Sequence, residues 1–237
     1  MTDTVERPAL VGNCWVLVGG IFYLTEWVAI LGSAAVGIGE FATFDLPQED
    51  LLDSYVGNVD AVAMMAGWFS LCLLGRVLLF VGLRTALADS GMRHPLMDFA
   101  VVASAVSVTL EVATYAVATA AADLANPDDV SAMVVLDRAA AWMNTMLIGG
   151  LGVAVLCSVW CMWRSGLFSM PLNVLGLVSG IGIVGAQLTI SPSMVTLNTI
   201  LWASPLLFWV WMLWAGVVLW RRTPRTSDVP TDTMVQP

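Results

Sequence analysis

Six long apolar stretches, at 11–38, 59–87, 96–122, 132–163, 171–190 and 194–220, are separated by short polar loops, and arginine occurs only in alternate loops. Each stretch meets the requirement of roughly 20 residues for a helix crossing a hydrocarbon core about 30 Å thick. Arg7 precedes the first, Arg84 and Arg93 flank the second loop, Arg164 lies in the fourth, and Arg221, Arg222 and Arg225 follow the sixth. The first, third and fifth loops hold no basic residue. An excess of arginine marks cytoplasmic loops, so both termini are expected inside and the acidic loops outside. The pattern predicts an all-α fold, a polytopic bundle of six transmembrane helices with N-in/C-in topology. Residues 1–222 form the membrane domain in this reading, and 223–237, rich in Thr, Pro and Asp, a disordered cytoplasmic tail.

With 59% hydrophobic and 11% charged residues and a mean hydropathy of +0.85, the chain has too little polar surface for a soluble fold. Its net charge of −9 comes largely from the outer loops and the tails, where Glu40, Asp45, Glu49, Asp50 and Asp53 line the first loop and Asp123, Asp128 and Asp129 the third. Such residues form a solvated acidic rim or a surface that attracts external cations. Scattered arginines give no electrostatic footprint for nucleic acid. Asp3 and Glu6 spoil the basic start of a cleaved signal peptide, so the first apolar stretch is expected to be a retained helix. The expected setting is the bacterial cell membrane, crossed several times. Lipid is the surrounding partner, with other membrane subunits or a second copy of the chain as protein partners.

Several chemistries lack their residues. The sequence contains no lysine, which removes a retinal Schiff base and a lysine nucleophile. His94 is the single histidine, so bis-histidine haem ligation, a histidine zinc site and a Ser-His protease are without partners. No Walker-type phosphate loop occurs. Cys14, Cys72, Cys157 and Cys161 all fall within apolar stretches, three of them near the reducing side, which argues against disulfides. Cys157 and Cys161 stand one helical turn apart, a spacing that suits a shared metal or simple packing, but no histidine accompanies them. No cofactor, no metal and no enzymatic activity are expected.

Ionisable residues at depth are the informative ones, because a charge near the bilayer centre costs at least roughly 2.5–3.5 kcal/mol on insertion scales. At 1.5 Å per residue, Glu26 and Glu111 come out roughly 20 Å from the cytoplasmic ends of their helices and Arg76 roughly 15 Å, close enough to meet. Glu111 shares a helical face with Ser104, Ser107 and Thr114. Two carboxyls against one guanidinium leave one acid to carry a proton or to stand unpaired. The cluster is then a proton or cation site in a small transport pathway. Alternatively, it is a structural core in which Arg76 bridges both acids, or Arg138 and Asn144 of the fourth span take the second. Asp137 and Asp60 are expected near the interface, where they snorkel.

Gly176 and Gly180 form GxxxG in the fifth stretch, and Gly149, Gly150 and Gly152 serve the fourth, permitting close helix approach. Pro205, with Ser204 before it, predicts a kink in the tryptophan-rich sixth. The run WRSGLFSMPLNVLGLVSGIG, with Arg164, Ser165, Gly166, Pro171, Gly176 and Gly180, resembles the stretch between the fourth and fifth helices in a family of uncharacterised bacterial six-helix integral membrane proteins, a domain of unknown function. GGIFYLTEW, from Gly19, is compatible with it, whereas Leu172 stands where a basic residue follows the proline in that family. The resemblance implies six helices and no activity. The leading expectation is a non-enzymatic membrane protein, an accessory subunit or small binding protein with a structural polar core. The alternative is a proton-coupled small transporter or channel using Glu26, Arg76 and Glu111.

Overall fold

A computed structural model describes residues 13–35, 48–190 and 192–222, all helices and turns, with no strand among them. Six helical stretches are long and apolar enough to cross a membrane: Cys14–Gly32, Val59–Asp89, Pro95–Asp123, Ser131–Ser165, Met170–Leu188 and Thr196–Trp220. The all-helical expectation holds, as does the number of spans. Arg7, Glu40, Asp45, Arg225 and the tail at 223–237 lie outside the described residues.

Four of the spans are interrupted. The first divides into α1 (Asn13–Leu24) and α2 (Glu26–Ala35), and α3 (Gln48–Tyr55) is a short helix of the first loop. The second span is α4 (Val59–Cys72) and α5 (Leu74–Asp89), the third the unbroken α6 (Pro95–Asp123), and the fourth α7 (Ser131–Met146) and α8 (Ile148–Ser165). The fifth is α9 (Met170–Leu188). After a 3-10 turn at Pro192–Met194, the sixth is α10 (Val195–Leu201) and α11 (Ser204–Trp220).

A break inside a membrane helix frees backbone groups that no water can satisfy, so a neighbouring helix must supply the partner. At the first break the Trp68 Nε1–H donates to the Thr25 carbonyl at 2.8 Å. At the fourth-span break the Gly149 N–H donates to Gln187 Oε1 at 3.2 Å. At the sixth, Ser179 Oγ of α9 donates to the Ser204 carbonyl at 3.2 Å, and Asn198 Nδ2 of α10 ties the same two spans together by donating to the Ala186 carbonyl in the last turn of α9 at 2.8 Å. The interruption expected at Pro205 is therefore present, and Gln187 acquires a role as the cap of the α7–α8 break.

The spans form a closed ring in chain order: α1 packs on α5, α5 and α4 on α6, α6 on α7 and α8, α8 on α9, α9 on α11, and α11 returns to α1. Phe80, Leu83, Leu151, Met162, Phe208 and Trp211 fill the middle, all buried, while Val102, Trp160, Ile181 and Leu188 point outward as a lipid-facing surface requires. Small residues set the helix spacing. Gly150 rests on Ala103 and Ser107 of α6, Gly152 on Val184, and Gly180 on Leu156 and the Gly152 carbonyl, so the glycines singled out in the fourth and fifth spans do lie in contacts between helices.

The closest approach of backbone to backbone joins α1 to α5. A Cβ on Gly75 would stand 2.5 Å from the Gly19 carbonyl oxygen and from the Tyr23 nitrogen, both backbone atoms that cannot turn aside. Gly75→Ala is expected to push the helices apart and lower stability by about 2 kcal/mol, the usual cost of overpacking a well-filled interior. Thermal unfolding in detergent micelles measures it, and an unchanged midpoint would show that the crossing yields freely.

The loop ends follow local rules. Gly166, with φ of 66°, closes α8 in the left-handed region that favours glycine, and Pro171 opens α9 in its first turn. Before α7, the Ser131 hydroxyl and the Ser131 N–H, the latter at 3.1 Å, both donate to the Asp129 carboxylate and hold its carboxyl below the usual carboxylate range. That contribution is present above the ordinary aspartate pKa and is lost as pH falls through the lowered one.

One loop expectation is corrected. Asp137 does not snorkel to the interface: it is 1% exposed and accepts a 2.6 Å hydrogen bond from the Tyr55 hydroxyl. The first loop folds back as α3, whose Leu51 and Tyr55 pack with Val62, Ala121, Ala122 and Met133. Asp137 is thus covered by an element that apolar periodicity does not reveal. Glu49, Asp50, Asp53 and Asp60 remain exposed, in keeping with an acidic rim.

Candidate functional site

The polar cluster forms where α1 meets α2, α4 meets α5, and α6 passes alongside. α6 turns one face inward, and Ser104, Ser107, Glu111 and Thr114 are all buried on it, as their three- and four-residue spacing predicts. The close α1–α5 crossing at Gly19 and Gly75 brings Tyr23 and Glu26 to Arg76. Two breaks help to aim the charged groups. Glu26 is the first residue of α2, so its carboxylate stands at the positive end of that helix. Arg76 follows the turn at Leu73, whose carbonyl accepts from the Arg76 N–H at 3.0 Å.

Arg76 is 1% exposed, Glu26 6% and Glu111 8%, so the three expected to meet are all inside the protein rather than facing lipid. Arg76 Nη2 donates to Glu111 Oε2 at 2.5 Å and to Ser107 Oγ at 3.4 Å, and the guanidinium carbon lies 5.2 Å above the centre of the Tyr23 ring. This combines a charge-assisted hydrogen bond with a cation–π contact in a dry setting, where both are stronger than in water. Glu26 forms no ion pair among the described residues, yet Glu111, Arg76 and Tyr23 are the groups that act on its carboxyl. One guanidinium therefore faces two acids and is bonded directly to one of them.

Sequence reasoning had grouped Glu26, Arg76 and Glu111 but missed the aromatic and thiol shell around them. Tyr23 and Tyr115 both lie within electrostatic reach of the two glutamates and Arg76, and Cys72 within reach of the glutamates. Tyr115 stacks on Phe69 with centroids 4.5 Å apart and planes 6° from parallel. Trp209 of α11 meets Trp27 edge-on at 5.2 Å. Helical spacing carried the signal: Tyr23 is three residues before Glu26, Tyr115 four after Glu111, and Cys72 four before Arg76. Tyr23 is the polar side chain that both Arg76 and Trp209 approach.

Arg138 and Asn144 do not join the cluster. Both lie on α7 and are half-buried, and neither is among the groups acting on Glu26. Of the two structural arrangements, neither is complete: Arg76 is bonded to Glu111 but not to Glu26, and α7 supplies no group that acts on Glu26. Cys157 and Cys161 are free thiols, and no three His, Cys, Asp or Glu side chains gather as a metal-binding group among the described residues.

Comparison with protein families, curated proteins and solved structures gives no match for this chain.

Proposed function

We propose that this chain is a non-enzymatic multi-pass protein of the bacterial cytoplasmic membrane, an accessory subunit or small binding protein. Its buried Arg76–Glu111 pair fixes the register of the second and third spans. The direct 2.5 Å bond between two groups sealed from lipid carries this reading. A buried ion pair holds helices in one arrangement because any slip leaves two uncompensated charges, at a cost of several kcal/mol. The N-in/C-in orientation belongs to the same proposal and rests on the arginine distribution.

Glu26 favours a second reading, a proton-coupled small transporter or channel. Its carboxyl lies beside an arginine already bonded to another acid, so a proton arriving there meets no competing ion pair. Reconstitution of the purified protein into vesicles with an imposed pH gradient separates the two. On the structural reading the wild type and Glu26→Gln both leave the gradient intact. On the transport reading the wild type collapses it, and Glu26→Gln folds normally but does not. Wild-type flux would sink the structural reading, and a tight wild-type vesicle the transport one.

A further inference from the structure

Where α5 turns into α6, Arg84, Arg93 and His94 line a cavity of about 410 Å³ together with Met92, Met97 and Asp98. Two guanidiniums against a single carboxylate leave its lining with an excess of positive charge, and the imidazole adds a polar group beside them. Arg84 forms an ion pair with Asp98, while Arg93 is exposed and has no ion pair among the described residues. His94 caps α6 by accepting the Leu96 N–H on Nδ1 at 3.2 Å, which in the neutral imidazole places the proton on Nε2 and keeps that donor available. The cavity is also floored with apolar groups, since Met97 belongs to the buried core and Met92 packs against it. Arg164, in the last turn of the fourth span, and Arg221 and Arg222, after the sixth, lie at this same end of the ring.

A cationic rim over an apolar floor, at the end of two membrane spans, matches an amphiphilic anion better than a free one. The guanidiniums complement a phosphate, and the methionines complement the carbon skeleton attached to it. We propose that this cavity binds the phosphodiester headgroup of an anionic phospholipid from the surrounding leaflet. Arg93 supplies the uncommitted charge, His94 a directed donor, and the Arg84–Asp98 pair one side of the rim. The basic end would then be anchored to the anionic leaflet through a defined site as well as through general surface charge.

The purified full-length protein in phosphatidylcholine nanodiscs, with and without phosphatidylglycerol, tests this through the thermal midpoint. Phosphatidylglycerol should raise the midpoint of the wild type and of Arg164→Gln, an arginine at the same end but outside the cavity. In Arg93→Gln the rise should fall by more than half, with the phosphatidylcholine midpoint unchanged because the side chain is exposed. Equal losses in Arg93→Gln and Arg164→Gln would reduce the effect to diffuse charge and overturn the site. Inorganic phosphate added to phosphatidylcholine discs is the arm for a soluble anion. A full shift from it alone would also overturn the lipid assignment, as would no shift with phosphatidylglycerol.

Discussion

Arg76→Ala is expected to destabilise the protein by about 3–5 kcal/mol, the range seen when one partner of a buried ion pair is removed. The substitution leaves Glu26 and Glu111 buried with no cation nearby, takes a donor from Ser107, and removes the cation–π contact with Tyr23. A stability assay in mixed micelles should record the loss. Adding Glu111→Gln should then recover a large part of it, because the amide removes a buried charge that no longer has a partner. This recovery distinguishes an electrostatic cause from loss of side-chain volume, which the second substitution does not restore. If the double variant is as unstable as the sum of the two single ones, Arg76 stabilises by packing alone and the pair does not hold the register.

The spans were legible because each requires an apolar run of fixed length, and the meeting of Glu26, Arg76 and Glu111 followed from rise per residue. The breaks at Thr25, Leu73 and Leu147 were hidden for a physical reason. None has a proline to announce it, and at Thr25 and Leu147 the backbone partner comes from another helix, Trp68 and Gln187 respectively. Nothing in the sequence around Trp68 or Gln187 marks either residue as the partner of a break in another helix. Only the break at Pro205 carried its cause within its own segment. The site was half visible on the same grounds: charged residues stand out in an apolar chain, whereas Tyr23, Tyr115 and Cys72 look like core until their neighbours are known. α3 was missed because its helix is short and acidic on one side, and Leu51, Leu52 and Tyr55 are too few to set a period.

That overlooked loop helix carries the second large effect. Asp137→Ala is expected to lower stability by about 3 kcal/mol, since the Tyr55 hydroxyl, which is fully buried, would lose its carboxyl acceptor at 2.6 Å. Tyr55→Phe removes the same bond from the other side, keeps the ring among Val62, Ala121 and Met133, and leaves the buried Asp137 carboxyl without that donor, so its loss should be of similar size. The consequence should also be local. α3 is joined to the spans by few contacts besides this bond and its apolar side, and an element so held opens before the bundle does. Hydrogen exchange should therefore quicken across residues 48–55 in Asp137→Ala, while α8 and α9 keep their protection. Faster exchange throughout the bundle would mean that Asp137 supports the fourth span itself rather than the loop above it. Unchanged exchange in α3 would show that Leu51 and the Tyr55 ring hold the helix without the hydroxyl.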